Sequence, residues 1–257
     1  MDEIVMRLAR ALASFERLQI LSRLAAAGER SPTRLGRELQ MSLNSLSGHL
    51  AKLATAGLMK RRRSGRWSYC VAESPYSPST LSGMTVAWLR KMLSAPKRTL
   101  QDCGDEEVHR LSAEEAQTRV HKLVFEAATA FTDLRRLQIL RRLGAGREAT
   151  AEALSKELSM SERAARRHTN KLVRRRYLST ASPRDLRTPS ATVAGRCAGL
   201  RRARRARMPR LCRRNPSLRS AGRPALYRLA PKFKTLIHAG LFEIVRSTWA
   251  QRKWRTS

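Results

Sequence analysis

Apolar residues recur at helical spacing along most of this chain, and the pattern is clearest between Leu43 and Ala56. Leu46, Leu50 and Leu53 repeat at intervals of four and three residues, which predicts one buried stripe on a helix over this range. Ser42 comes directly before it and is a natural N-cap, because its hydroxyl accepts a hydrogen bond from a free backbone N–H of the first turn. A shorter helix is predicted to end three residues earlier, so the pair forms a helix-turn-helix.

Further helices are predicted on both sides of this motif. Residues 3–13 form an amphipathic helix with Ile4 on its buried side, and residues 16–27 form a second one. After two prolines, residues 79–93 form a terminal helix with a large apolar stripe that includes Trp88.

Two short strands are predicted after the helix between Leu43 and Ala56, which is the second helix of the motif and is called the recognition helix. The stretch 58–71 passes through Ser64-Gly65, which predicts a β-hairpin, and a hairpin after a helix-turn-helix is called a wing. Trp67 and Tyr69 are expected in the core of the wing, because alternate strand positions face one side. Cys70 is interpreted as a packed wing residue in preference to a redox switch, since no partner thiol or basic pocket is evident.

The same pattern occurs twice. Arg17-Leu18-Gln19-Ile20-Leu21 recurs as Arg136-Leu137-Gln138-Ile139-Leu140, at an offset of 119 residues, and His49 recurs at that offset as His168. Such a repeat without gaps indicates the duplication of one domain. The predicted fold is therefore mainly α with small β-hairpin wings, in two tandem winged helix-turn-helix domains. Their predicted bounds are 1–94 and 113–257, with a linker over 95–112.

The repeat is interrupted inside the second wing. Its first strand starts near Leu178, but the counterpart of the Gly65–Tyr69 stretch is found only at 222–227, which matches Tyr227 to Tyr69 and predicts it in the wing core. The unmatched segment, about 180–221, is rich in Arg, Pro and Ser and lacks apolar periodicity, a composition typical of disorder. Two hypotheses remain open for it: a basic loop that adds phosphate contacts, or the product of two compensating frameshifts.

The formal net charge of the chain is +33, and residues 180–223 contribute thirteen arginines against one acid. Such an excess favours a polyanionic partner, with nucleic acid first and an anionic membrane surface second. The alternative interpretation is that the basic residues only keep the protein soluble.

The order of helices, turn, recognition helix, wing and terminal helix resembles the ArsR/SmtB family of winged-helix repressors. The resemblance covers most of residues 3–93, with a weaker copy at 113–178 and 222–249. The residues that carry it are Ala11-Leu12-Ala13, Arg17-Leu18-Gln19-Ile20-Leu21, Met41-Ser42, Ser47-Gly48-His49-Leu50, Leu53, Ala56-Gly57-Leu58 and Gly65-Arg66. The resemblance implies a protein that binds double-stranded operator DNA as a dimer, with the recognition helix in the major groove.

Candidate DNA-binding residues lie on both predicted recognition helices and both wings. In the first copy they are Ser42, Asn44, Ser45, Ser47, His49, Lys52, Arg61, Arg62, Arg63 and Arg66. In the second copy they are Ser161, Arg163, Arg166, Arg167, His168, Lys171 and Arg223. For His49 and His168 two interpretations stay open: a hydrogen-bond donor to phosphate or base, and a histidine packed against the wing.

Two assemblies are compatible with the repeat. The two copies could pair their terminal helices within one chain, so that the apolar stripes of Trp88 and Trp249 meet near a pseudo-twofold axis. The alternative is a homodimer of the whole chain with four winged helices.

Other function classes find less support in the sequence. No cofactor or metal is expected, because residues 31–39 have no Cys or His, residues 79–93 have none of His, Cys, Asp or Glu, and His238 with Glu243 is too few for a site. An enzyme is not expected, and the absence of an apolar run near 20 residues, with four scattered cysteines, predicts a cytoplasmic protein without a membrane span. The expected function is a sequence-specific transcriptional regulator, a repressor by the resemblance, with an unidentified effector. The alternatives are a non-specific nucleoid protein and a winged-helix protein-interaction module.

Overall fold

The computed structural model describes residues 1–181 and 225–250, and the predicted insertion at about 180–221 lies almost entirely outside them. The N-terminal part, residues 1–94, is mainly helical with one hairpin. Its elements in chain order are α1 (Asp2–Leu12), α2 (Phe15–Ala27), α3 (Pro32–Glu38), α4 (Leu43–Thr55), β1 (Lys60–Ser64), β2 (Trp67–Val71) and α5 (Leu81–Ser94).

The rest of the described chain adds six helices and three strands. Residues 95–112, expected as a linker, contain the short helix α6 (Pro96–Asp102) and a 3-10 turn (Val108–Arg110), and they bury Leu100 and Val108 in the core. The C-terminal part, residues 113–250, then repeats the order of the first. Its elements are α7 (Ala113–Ala128), α8 (Leu134–Gly144), β3 (Ala149–Thr150), α9 (Ala151–Glu157), α10 (Glu162–Arg174), β4 (Leu178–Ala181), β5 (Leu226–Leu229) and α11 (Leu236–Ala250).

The helix starts follow local capping chemistry. Ser42 accepts a hydrogen bond from the Ser45 backbone N–H at the start of α4. Ser112 and Glu115 form a capping box at the start of α7, in which each side chain accepts from the backbone N–H of the other residue. The last helix starts at Leu236.

Strand pairing follows the same scheme in both parts, and it corrects the predicted match between the wings. Cys70 of β2 pairs with Arg61 of β1 and also forms a bridge with Arg30. In the C-terminal part, Tyr227 of β5 pairs with Thr180 and with Ala149, which lie 119 residues after Arg61 and Arg30. The counterpart of Tyr227 is therefore Cys70 and not Tyr69, because hydrogen-bond register, unlike residue type, decides which strand positions are equivalent.

Two residues expected in the core are exposed. Trp67 is 62% exposed, because it pairs with Ser64 at the tip of the hairpin, beyond the helices that cover Cys70, while Tyr69 is half-buried. Ile4 is 46% exposed, because α1 turns Val5, Leu8 and Leu12 toward the core and leaves Ile4 at the edge of that stripe. The prediction for Tyr227 is confirmed, since its side chain is buried.

Left-handed backbone positions also recur at the 119-residue offset. Gln40 and Ser159, in the turns before α4 and α10, have φ of 54° and 48°, and Gly57 and Arg176, after those helices, have φ of 70° and 55°. Glycine adopts this region without the steric cost that a Cβ imposes. Arg176 therefore adopts a left-handed conformation, whereas glycine occupies the equivalent position, Gly57, in the N-terminal part.

Replacing Arg176 by glycine should raise the free energy of unfolding by about 0.5–1 kcal/mol, because relief of the left-handed strain exceeds the entropy that glycine adds to the unfolded chain. Urea denaturation followed by circular dichroism measures the change. The matched control is Arg167→Gly inside α10, which should lower stability by about 1 kcal/mol. A loss of stability in Arg176→Gly would contradict the strain argument.

The two parts pack on each other through contacts that repeat with exchanged roles. Ser22 Oγ of α2 lies 2.6 Å from His121 Nε2 of α7. Arg141 of α8 lies 119 residues after Ser22, and Asp2 of α1 lies 119 residues before His121. These two residues form an ion pair. Helices α5 and α11 also pack together, with Trp88 so close to Gly240 that a Cβ there would lie 2.6 Å from the indole nitrogen.

Candidate nucleic-acid interface

The angle between α3 and α4 is set by a close approach at the turn. A Cβ on Gly36 would lie 3.1 Å from the carbonyl oxygen of Met41, and the Met41 N–H donates to the Gly36 carbonyl at 2.9 Å. Gln40 takes the left-handed conformation that lets the chain turn back. A compact turn of this kind holds the second helix of the motif at a fixed orientation to the first.

Helix α4 separates an apolar face from a polar edge, as its sequence predicts. Leu46, Leu50 and Leu53 are buried and anchor it to the core. The side chains of the opposite edge are small or basic, and those exposed are Ser42, Asn44, Ser45, Ser47 and Lys52. His49 is half-buried beside them.

Helix α10 has the same construction with more charge. Ser161 caps it by accepting from the Ala164 N–H at 3.3 Å, and Leu172 lies on its buried side. Its exposed edge carries Arg163, Arg166, Arg167 and Lys171. Glu162 forms a 2.5 Å ion pair with Arg166, whereas Arg163 and Arg167 have no acidic partner among the described residues.

His168 does not belong to that exposed edge. Its side chain is only 7% exposed, and Nδ1 lies 3.7 Å from Asp133 Oδ1, the residue that caps α8. Burial is the main reason that the pKa of His168 is lowered. These observations favour the packing interpretation of His168 over a DNA contact.

The four predicted arginines of the first wing are all exposed, but they differ in their partners. Arg62 forms a 2.6 Å ion pair with Glu29. Arg61 and Arg63, on the other face of β1, and Arg66 in the turn have no acidic partner within the described part of the chain. The corresponding candidate of the second wing, Arg223, lies outside the described residues.

One basic residue near the motif was not among the predicted candidates. Arg37 is exposed in the last turn of α3, the first helix of the motif, and no carboxylate pairs with it among the residues placed in the structure. In helix-turn-helix docking the first helix crosses the phosphate backbone. A basic residue in the last turn of that helix was the available signal in the sequence.

Little in the described residues points to redox or metal chemistry. Cys70 is fully buried, and burial raises the pKa of its thiol, which fits the packed wing residue that was predicted. His238 is buried in α11, where Nδ1 lies 2.9 Å from Thr235 Oγ1. Within residues 1–181 and 225–250, no three His, Cys, Asp or Glu side chains are grouped closely enough to hold a metal ion.

No helix in those ranges has both the length and the apolar character that crossing a membrane requires.

Comparison with known protein families matches the stretch of the chain that contains the helix-turn-helix. A family model described as a helix-turn-helix domain matches residues 12–62. None of the curated proteins compared shows a significant match.

A solved structure also matches the chain. It is an NMR structure of a homodimeric winged helix-turn-helix DNA-binding domain from Mycobacterium bovis, described as a possible ArsR-family transcriptional regulator. The two sequences are 32% identical over 36% of this chain and 77% of that domain, with a TM-score of 0.30. This sequence identity and the helix-turn-helix model over residues 12–62 show that the chain belongs to the ArsR-type family of winged helix-turn-helix proteins.

Proposed function

We propose that this protein is a sequence-specific DNA-binding transcriptional regulator, acting as a repressor. The observation that carries the proposal is the edge of α4, where the side chains of Asn44, Ser45 and Ser47 are exposed on a helix held by buried leucines. Such an edge offers hydrogen-bond donors and acceptors to base pairs in a major groove. The exposed wing arginines beside it supply phosphate contacts.

The C-terminal part acts as a second winged helix-turn-helix unit in this proposal. The repeated element order, the recurring left-handed positions and the equivalent pairing of Cys70 and Tyr227 support it. Arg163 and Arg166 on α10 are the counterparts of Asn44 and Ser47 on α4.

The two units pair within one chain as a pseudo-dimer. Support comes from the exchanged contacts Ser22–His121 and Asp2–Arg141, and from the packing of Trp88 of α5 on α11. Two recognition helices arranged in this way contact half-sites about one helical turn apart, roughly 34 Å. Because α4 and α10 expose different side chains, the two half-sites are unlike each other and the operator is not a palindrome.

A non-specific nucleoid protein is the second candidate, and the net charge of +33 favours it. The two functions differ in the ratio of affinities for preferred and random DNA at physiological salt. Selection of bound sequences from random DNA, followed by footprinting and light scattering, separates them. A ratio near one would reject the proposed specificity, and a stable dimer on a perfect palindrome would reject the one-chain pairing.

Asn44→Ala and Arg163→Ala should each weaken binding to the selected site by about 1–3 kcal/mol and leave binding to random DNA nearly unchanged, if each side chain contacts a base. Arg66→Ala should weaken binding to both DNAs and reduce the slope of log K against log salt by about one, because a wing arginine contacts phosphate. Fluorescence anisotropy at several salt concentrations measures these affinities.

The matched control removes one positive charge away from the proposed interface. Arg246 on α11 is exposed and forms an ion pair with Glu243, 3.2 Å away. Arg246→Ala should change neither the specificity ratio nor the salt slope by more than the general effect of one charge. Equal losses on selected and random DNA for Asn44→Ala and Arg163→Ala would exclude base reading by these two residues.

A further inference from the structure

An open cleft runs along α1, between the C-terminal end of α4 and the N-terminal end of α5. One end has a volume of about 340 Å³ and is lined largely by apolar side chains, among them Met1, Ile4, Tyr76 and Leu81. The other end, about 440 Å³, is lined by Glu3, Arg7, Arg10 and Lys52 among others. Arg7 and Thr55 line both ends. This size is typical of small-molecule sites.

The apolar end exposes side chains that folding normally covers. Met1 is 43% exposed, Ile4 46% and Tyr76 58%, and the three lie together on the same cleft. Single exposed apolar residues are ordinary on a protein surface, whereas a group of them rimmed by polar residues marks a binding site.

The corresponding face of the C-terminal part differs in its neighbours and in its charge. Leu123 of α7 lies 119 residues after Ile4, and α6 packs along α7. Leu100 of α6 and Cys103, which follows this helix, line a depression together with Leu123, and Leu100 is buried. The residue at the position of Arg7 is Glu126, which forms an ion pair with Lys234. Both faces line a depression, but the face of α1 carries Arg7 where that of α7 carries Glu126.

The charged side chains at the cleft favour a negatively charged ligand. Arg7, Arg10 and Lys52 face the mouth against a single acid, Glu3. Glu3 pairs with Arg7 at 3.2 Å on a solvent-exposed surface, an ion pair of little strength that a ligand carboxylate can replace. The guanidinium of Arg17, also at this end, is held by the carbonyls of Ala11 and Arg10.

We propose that this cleft binds a small amphipathic organic anion, with its carboxylate at Arg7 and its alkyl or aromatic body against Ile4, Tyr76 and Leu81. Thr55 and Ala56 at the end of the recognition helix line the same cleft, so the ligand contacts the helix proposed to read DNA. Its proposed role as an effector rests on the proposed function, whereas its binding does not.

Isothermal titration of the full chain with octanoate, in the absence of DNA, tests the site. Octanoate should bind, and neutral 1-octanol should bind about tenfold more weakly because it lacks the charge-assisted hydrogen bond to Arg7. Arg7→Gln should weaken octanoate about tenfold and leave 1-octanol unchanged. Ile4→Gln should weaken both ligands about fivefold through lost apolar contact.

Matched controls separate the site from general effects of charge and hydrophobicity. Arg34 forms the same kind of exposed ion pair four residues from its acid, Glu38, at 2.9 Å, and Leu236 is an exposed apolar residue on α11. Arg34→Gln and Leu236→Gln should leave both affinities within about a factor of two. Thermal unfolding checks that each variant is folded.

Three results would overturn the proposal. The first is no octanoate binding by the full chain, and the second is an equal loss in Arg7→Gln and Arg34→Gln. The third is binding that starts only when residues 251–257, which lie outside the described residues, are removed, because the cleft would then belong to that segment. Since no DNA is present, none of these results depends on whether the proposed regulator function is correct.

Discussion

Replacing Tyr177 by alanine should lower the free energy of unfolding by about 3–5 kcal/mol, the usual loss when a fully buried aromatic side chain is truncated. Tyr177 is completely buried between α10 and β4, and its ring centroid lies 5.3 Å from that of Phe131 and 6.2 Å from that of Phe242 in α11. Its hydroxyl donates to the carbonyl of Ala127 on α7 at 3.3 Å. One side chain therefore joins the first helix, the wing and the last helix of the C-terminal part.

Urea denaturation followed by circular dichroism measures this loss. Tyr177→Phe keeps the ring and removes only the hydroxyl, so it should cost about 1 kcal/mol. Trp67→Ala removes a larger aromatic side chain that is mostly exposed, and it should change stability by less than about 0.5 kcal/mol. If Tyr177→Ala lowered the free energy of unfolding by less than Tyr177→Phe does, the ring would not be central to the core.

Gly83→Ala should lower the free energy of unfolding by about 3 kcal/mol, although alanine is the better helix former. Gly83 lies in the first turn of α5, where a Cβ would be 2.3 Å from the Ser77 carbonyl oxygen and 2.7 Å from the Pro78 Cα. Both are backbone atoms, so the loop before α5 would have to move. Thr80 caps this turn by accepting from the Gly83 N–H, and the cap would move with it.

The same substitution at Gly48 should have the opposite sign. Gly48 lies in the middle of α4, and no atom would come within 4 Å of a Cβ placed there. Gly48→Ala should therefore raise stability by about 0.5–1 kcal/mol, the difference in helix propensity. Thermal or urea denaturation of the two variants compares them directly, and a stabilised Gly83→Ala would show that the loop before α5 yields freely.

The local elements followed from the sequence because their signals are local. The spacing of Leu46, Leu50 and Leu53 and the cap at Ser42 set the recognition helix, and both are confirmed. Helix periodicity and capping involve residues within two turns of each other, so no knowledge of the rest of the fold was needed.

The side chains at the margins of those elements were less predictable. Trp67 follows the alternation expected of a wing, yet it is exposed because the hairpin extends past the helices at that point. His168 occupies the same helix position as half-buried His49, yet it is buried beside Asp133. Exposure at such positions depends on how far a neighbouring element reaches, which periodicity does not encode.

By itself the sequence determined the repeat, the helix-turn-helix and the excess of positive charge, because each is a property of residue order or composition. The tertiary structure alone decided that Tyr227 is the counterpart of Cys70, since equivalence in a sheet is set by hydrogen-bond register. It also decided which segments pack beside the two repeated helices. Helix α6 packs along α7 and lines the depression at Leu123, whereas Tyr76 and Leu81 line the cleft at Ile4 of α1, and helix periodicity does not encode which segment packs at each place.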